Sequence, residues 1–344
     1  MKNFTYYQPK TAAQAVGLLD AKWGGAEVLA GGTDLLDLQK EYIAQPEKVI
    51  SLGSLNGPFR KISETNPPGA FPPLVTIGAG ATLAEIASNE TIKRVYPALA
   101  AAASIIGGPQ IRNMGTLGGN LCQRNRCWYF RDEHVKCLLK GGEKCYALPA
   151  DAENRYHAIY TQGLKCVMVH PSTLAPVLVA LGGSVKVLGP KGERDIRIDK
   201  FFRAPSSAEE REHVLEPNEV VLSVTFGSAP EQFLELRNAS YEVRHKESHD
   251  WPLVQAAVAV WLKEKKVGHA AVVLGHVAPT PHAAAAAASA LQGKEVSEET
   301  ASAAGKAAAE GAKPLGQNGY KVRLVEVAVK RAVLAAVGKK YWEG

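Results

Sequence analysis

The chain has 344 residues, 46% of them hydrophobic and 22% charged, with a formal charge of +6 from 40 basic and 34 acidic side chains. That length can hold two or three domains with a sizeable core, and the balance excludes disordered and fibrous classes. The mild basic excess is scattered, with no nucleic-acid motif, so at most it favours an acidic partner or an anionic cofactor.

From the start, MKNFTYYQPKT lacks the apolar stretch of a secretory signal. No segment approaches the ~18 consecutive apolar residues of a membrane span. A soluble, cytoplasmic polypeptide is expected, exported only with a partner. A first unit, residues 1–57, opens with a Thr11-capped helix to residue 19 whose apolar positions (Ala12, Ala15, Val16, Leu19) recur at helical spacing. Residues 27–30 read as a short buried strand, followed by Gly31-Gly32, a helix from Asp34 and a strand at 48–52. This is a small β-α-β-like unit.

The second unit, residues 58–228, begins with an exposed Pro/Gly loop (Asn66, Pro67, Pro68, Gly69, Pro72, Pro73) and a strand at 74–79. Thr82 and Glu85 form a capping box for a helix to about residue 88. Residues 97–106 predict a buried helix, apolar almost all round and ended by Gly107-Gly108-Pro109. A cysteine-bearing segment fills about 120–168. A helix at 173–181 and strands at 184–188, 195–202 and 220–226 follow. The third unit, residues 229–344, carries strands at 254–262 and 270–277. Helices follow at 283–291, 298–311 and 320–337, the last with Val322, Val325, Val329, Val333 and Val337 on one face. A strand-rich middle flanked by helices predicts α+β rather than one doubly wound sheet.

Two glycine-bearing loops stand out. In Val28-Leu29-Ala30-Gly31-Gly32-Thr33-Asp34-Leu35 a strand feeds two glycines and then a helix start. Glycines let backbone amides approach an anion, and a helix N-terminus suits a pyrophosphate. Thr33 and Asp34 can cap that helix or bond hydroxyls. A tight strand-to-helix turn explains such a pair equally well, and the pattern is not GxGxxG. The second loop, residues 107–120, holds five glycines and a proline, with Arg112, Asn113, Thr116 and Asn120 as donors. Two such loops favour a phosphate-bearing cofactor over coincidence.

All five cysteines lie between Cys122 and Cys166. An odd, clustered set without a secretion signal argues for a local metal site rather than disulfides. Cys127, Cys137, Cys145 and Cys166 can ligate one [4Fe–4S] cluster or one structural zinc ion. Their wide gaps favour the cluster, because structural zinc sites prefer closely spaced pairs.

The chain resembles the FAD-binding subunit of the xanthine dehydrogenase / carbon monoxide dehydrogenase / aldehyde oxidoreductase family of molybdenum hydroxylases. The likeness rests on LAGGTDLL (29–36), TIGAGATLAEI (76–86), PQIRNMGTLGGNL (109–121), HPSTLAPVLVAL (170–181), SHDWPLVQAAV (248–258) and LGHVAPTPH (274–282). It implies a small N-terminal α/β FAD-binding domain, a larger α+β FAD-binding domain and a C-terminal CO-dehydrogenase-flavoprotein-like α+β domain, with FAD extended between the first two. Residues 28–35 and 116–120 would hold the pyrophosphate and ribityl hydroxyls, Gly118 and Gly119 among them, with Arg112 and Asn113 as supports. Many relatives have aspartate where this sequence has Thr173, which leaves the role of that position open.

The cysteine segment is similar to the iron–sulfur insertion of a subset of the family, the 4-hydroxybenzoyl-CoA reductase flavoprotein subunit and bacterial aldehyde oxidoreductases. That similarity implies Cys127, Cys137, Cys145 and Cys166 as cluster ligands; Cys122 is then the odd one out, read as a free buried thiol, with a substitute ligand as the alternative. ENRYHAIY (153–160) resembles the aldehyde oxidoreductase branch. Trp128, Tyr129 and Phe130 can shield a cluster or simply pack.

His245 and His249 sit at i,i+4 beside Asp250 but resemble a family strand approach rather than a metal pair. There is no HExxH, GxSxG or GxxxxGK[ST]. The expectation is an electron-transfer subunit with no catalytic acid–base residue. It would exchange electrons between a large molybdopterin-binding subunit with a small [2Fe–2S] subunit and an external acceptor, for an aldehyde or aromatic substrate. A zinc-stapled scaffold and a stand-alone FAD oxidoreductase are the alternatives.

Overall fold

The computed structural model describes residues 1–66, 72–227, 235–246 and 250–339. Residues 67–69 of the Pro/Gly stretch, and Ser248 and His249, lie outside these, so the His245–His249 spacing is untested. The N-terminal sheet is parallel, with β1 (Thr5–Tyr7), β2 (Ala26–Leu29) and β3 (Lys48–Ser51) in the order β1-β3-β2. Three residues of β1 are too few to show a hydrophobic period, so this strand was not foreseen. The helix Ala12–Leu18 starts where expected, with the Thr11 hydroxyl accepting from the Gln14 amide at 3.2 Å. Ala15, Ala26, Ile50, Leu52 and Leu55 form a small core beneath it.

The second sheet is antiparallel: β4 (Ile62–Thr65), β5 (Leu74–Gly78), β6 (Ser184–Gly189), β7 (Gly192–Arg197) and β8 (Val220–Phe226), ordered β4-β5-β8-β6-β7. The capping box forms, with the Glu85 carboxylate accepting from the Thr82 amide at 2.7 Å and the Thr82 hydroxyl from the Glu85 amide at 3.2 Å. The helix Pro97–Ser104 is buried along Ala98–Ala100 and at Ala102 and Ala103, as its all-round apolar character requires.

Two segments depart from the sequence expectation. Residues 195–202 do not extend throughout: β7 ends at Arg197 and a single helical turn, Ile198–Phe201, follows. That turn buries Ile198 and Phe201 in the main core, a tertiary gain that extended backbone would forfeit. The glycine-rich stretch 107–120 is not an irregular loop but two short helices, Pro109–Met114 and Leu117–Cys122. Pro109 pre-sets the backbone angle at the first start, and the Thr116 hydroxyl caps the second by accepting from the Gly119 amide at 3.1 Å.

The third sheet is an antiparallel meander of β9 (Glu235–Val243), β10 (Val254–Lys263), β11 (Lys266–Gly275) and β12 (His282–Ala283). β10 is buried on both faces. Ala257, Ala259 and Trp261 enter the core shared with the second sheet, and Ala256, Val258 and Val260 meet the C-terminal helices. Those helices are Ala285–Leu291, Glu298–Ala309 and Tyr320–Ala336, the last burying Val325, Val329 and Val333. The architecture is mixed α+β. Among the described residues no helix is long and apolar enough to cross a membrane.

The cysteine segment has little regular structure beyond the helical turns Trp128–Arg131 and Leu138–Lys140. Side chains from the C-terminal part instead satisfy its backbone, as buried polar groups require. The Asn318 side-chain amide donates to the carbonyls of His157 (3.1 Å) and Ala158 (3.0 Å), and the fully buried Lys321 ammonium donates to that of Tyr156 (2.9 Å).

Candidate functional site

Between the first and second sheets lies a cavity of about 510 Å³, within the range of cofactor pockets. Its wall includes Val28 and the whole run Ala30–Leu35, then Thr116, Gly118, Gly119, Asn120 and Thr173. Of residues 28–35 and 116–120, Leu29 and Leu117 lie outside that wall: Leu117 is buried in the main core, and Leu29 packs behind the turn, where a Cβ on Gly32 would meet its Cδ1 at 3.4 Å. The two glycine segments touch. A Cβ on Gly31 would lie 1.9 Å from the Met114 carbonyl oxygen, and one on Gly119 would come within 3.6 Å of the Ala30 Cβ. Gly32, at φ +78°, takes the left-handed conformation that side chains resist.

The two turns differ in what they offer an anion. Among the described residues the amides of Gly31, Gly32, Thr33 and Asp34 have no hydrogen-bond partner within the chain. Four successive free donors lining a cavity at a strand-to-helix turn are suited to a diphosphate. The amides of Gly118 and Gly119 are already committed, to the Ala79 carbonyl (2.9 Å) and the Thr116 hydroxyl (3.1 Å). The second pair therefore contributes closeness of approach rather than donors. Asn120 is held by Ser172, whose hydroxyl donates to its Oδ1 at 2.6 Å. Arg112 acts as a support, its guanidinium donating to the carbonyls of Ile106 (3.2 Å) and Gly107 (2.8 Å). Thr173 donates to the buried Glu242 carboxylate at 3.1 Å, so its hydroxyl proton is engaged inside the protein.

Asp34 does not cap its helix. Its carboxylate accepts instead from the Arg124 amide (2.9 Å) and the Arg131 guanidinium (2.7 Å), and pairs with Arg126 at 3.0 Å. This ties the first glycine turn to the cysteine segment. Asp34→Asn is expected to weaken FAD retention and lower stability by about 2 kcal/mol, the value of charged hydrogen bonds of this kind; thermal unfolding with flavin release as a second readout checks it.

Sequence reasoning missed the arginine–aromatic pairs in the cavity wall. The Arg211 guanidinium lies 4.7 Å from the Trp23 ring centre, and Arg126 lies 4.5 Å from that of Trp251, which is 52% exposed. No motif marks them, because each pair joins residues far apart in the chain. Glu27 beside Arg211 is buried deeply enough that desolvation raises its pKa despite that arginine.

Cys127, Cys137, Cys145 and Cys166 line a second, separate pocket together with Asn125, Tyr129, Phe130 and Tyr146. The open space at its centre is small, about 10 Å³. Among the described residues no three His, Cys, Asp or Glu side chains are gathered as a single metal ion would require. Burial pushes the Cys127 thiol up to about 12 and raises that of Cys137. His157 stands beside the set, its Nε2 3.2 Å from the Cys127 sulfur. Cys122 belongs to the other cavity, where burial likewise raises its thiol to about 12. The segment 122–130 thus runs from one site to the other. Cys122, Arg124 and Arg126 line the larger cavity, and Asn125, Cys127, Tyr129 and Phe130 the cysteine pocket.

A family model described as the FAD binding domain in molybdopterin dehydrogenase matches residues 2–228, and one described as the CO dehydrogenase flavoprotein C-terminal domain matches residues 239–336. The aldehyde oxidoreductase FAD-binding subunit PaoB of Escherichia coli (strain K12) is 32% identical over 82% of this chain and 83% of its own length. The carbon monoxide dehydrogenase medium chain of Hydrogenophaga pseudoflava is 28% identical over 97% of this chain and 96% of its own. The solved structure of carbon monoxide dehydrogenase from that organism superposes with a TM-score of 0.71 at 28% identity, covering 97% of both chains.

Proposed function

Because the chain belongs to the FAD-binding subunits of the molybdopterin dehydrogenase family, we propose that it is an electron-transfer subunit holding FAD in the large cavity and a [4Fe–4S] cluster at Cys127, Cys137, Cys145 and Cys166. Its standing as the FAD subunit of a molybdopterin oxidoreductase follows from membership. The observation that carries the site assignment is the meeting of the two glycine segments on one cavity beside four free amides. A side chain at Gly119 would intrude on this space, as expected where a ligand must lie against backbone. Bound FAD supplies two-electron uptake and release in one or two steps. The chain's own part is to seat it with the amides of 31–34, to hold Asn120 through Ser172, and to close the wall with Thr173 against Glu242.

The donor set of the second pocket fits an iron–sulfur cluster. It offers four thiols and no carboxylate, walled by Tyr129, Phe130 and Leu139. Metal binding is what makes a group of four neighbouring thiolates stable. A zinc ion with bonds of about 2.3 Å draws its ligands tightly together. A [4Fe–4S] cluster takes one thiolate at each iron, which suits four cysteines from separate stretches of one segment.

The names "FAD-binding subunit" and "medium chain" borne by the relatives support companions: a large molybdopterin-binding subunit, a small [2Fe–2S] subunit and an external electron acceptor. An aldehyde is the favoured substrate class, on the likeness to the aldehyde oxidoreductase subunit, with an aromatic compound next. Three sheets following one another in the chain support domains at 1–57, 58–228 and 229–344.

The test is cofactor content of the protein purified with its co-expressed partners. Flavin, iron and acid-labile sulfide are expected in this chain, and Cys137→Ser or Cys145→Ser should lose iron and sulfide while keeping flavin. Zinc without sulfide would overturn the cluster alone. A chain that neither carries nor takes up flavin would overturn the FAD assignment.

A further inference from the structure

Four cysteines account for the ligands of a cluster but not for His157, which is buried against them. Its Nε2 is 3.2 Å from the Cys127 sulfur, and its Nδ1 is buried without a partner. The ring is fixed by edge contacts with Trp128 (5.6 Å between centres) and a tilted contact with Tyr129 (6.1 Å). Its backbone carbonyl is held from the other side by Asn318. A side chain so confined has one orientation to offer.

We propose that His157 is a positioning residue of the cysteine site, whose Nε2–H donates a hydrogen bond to the Cys127 sulfur and thereby raises the reduction potential of the cluster. The inference rests on the cluster reading above and deepens it.

The tautomer follows from the two nitrogens. Were the proton on Nδ1, a buried donor would lack any acceptor, and the Nε2 lone pair would face an anionic thiolate. With the proton on Nε2 the thiolate gains a donor, and only an acceptor is left unpaired, the cheaper omission. With one ring nitrogen facing the sulfur and the other without a partner, the ring offers the sulfur a single N–H dipole. Hydrogen bonds to the sulfurs are among the factors that set the potential of such clusters. Reduction adds one electron and therefore negative charge to the sulfurs, so a donor there stabilises the reduced form.

The experiment is an EPR-monitored potentiometric titration of the co-purified complex, comparing wild type with His157→Leu and His157→Gln. His157→Leu should lower the potential so that the reduced-to-oxidised ratio at a fixed potential falls about tenfold, ~59 mV for a one-electron couple. His157→Gln, which can still donate, should recover most of that shift. An intact cluster with unchanged potential in His157→Leu would overturn the proposal. In case the variants do not load, pulsed EPR of the reduced wild type with ¹⁵N-histidine is decisive. A weakly coupled nitrogen with an exchangeable proton supports the donor role; no coupling, or the strong coupling of a directly bound nitrogen, overturns it. Wild-type protein without iron and sulfide would defeat the cluster reading itself, an outcome distinct from an unshifted potential.

Discussion

Gly119→Val is expected to yield a folded chain that no longer retains FAD. A Cβ there meets only the Thr116 hydroxyl, at 3.1 Å, and the Ala30 Cβ, at 3.6 Å, both in the cavity wall, so the added bulk intrudes on the ligand's space rather than the core. The affinity loss should be at least about a hundredfold, ~2.8 kcal/mol. Flavin content and equilibrium binding measure it, and unfolding midpoints of the FAD-free forms should be close to wild type. Neighbouring glycines make instructive controls. A Cβ on Gly118 would press on Ala79, 3.0 Å from its Cβ and 3.2 Å from its carbonyl oxygen, and one on Gly31 would collide with the Met114 carbonyl at 1.9 Å. Those variants should lose stability together with flavin. If Gly119→Val keeps its flavin at wild-type affinity, the cofactor does not lie against this turn.

Glu212 should carry the largest single side-chain contribution to stability near the two sites. It is fully buried, accepts from the Asn125 amide (3.0 Å) and side chain (2.7 Å), and contacts the Arg124 Nε at 2.8 Å, off the hydrogen-bond axis. Burial alone would raise its pKa, but Arg124 and the Asn125 donors outweigh that and hold the carboxyl down at about 2. A depressed carboxyl stabilises the fold fully above its unfolded pKa of about 4.5. That contribution is lost as pH falls from there through about 2. The linked stabilisation is about 3 kcal/mol. Glu212→Gln should remove a similar amount at neutral pH by stranding Arg124, and Glu212→Ala as much as about 5 kcal/mol. Urea unfolding from pH 7 down to pH 2.5 checks both the size and the sign: relative to wild type, the deficit of Glu212→Gln should shrink as pH falls. A constant deficit would show that Glu212 acts through shape rather than charge. Because Asn125 in turn accepts from the Cys127 amide at 3.1 Å, the same substitutions should loosen the cysteine pocket as well as the flavin cavity.

Signals carried by near neighbours were legible in the chain. The Thr82–Glu85 capping box, the Thr11 cap and the valine stripe of the last helix each depend on contacts within one or two turns, and the structure contains all of them. Both glycine segments were recognisable for the same reason, though the second was misread as an irregular loop. Its glycines pointed to flexibility, and the decisive features were Pro109 and Thr116 at helix starts. The double-sided burial of β10 was visible only as an unbroken apolar run.

The sequence by itself determined which local units form, which turns leave room for a ligand against the backbone, and that four thiols belong to one short segment. Only the tertiary structure decided what those units face. It spent the Gly118 and Gly119 amides on the fold while leaving those of residues 31–34 free, took Asp34 from its helix to bind Arg131, and set Glu212 against Arg124 and His157 against Cys127. Hydrogen-bond and ion-pair partners of this kind are chosen by distance in space. Several are separated by tens of residues or more along the chain, and no local pattern of side chains encodes which donor a folded carboxylate or sulfur will meet.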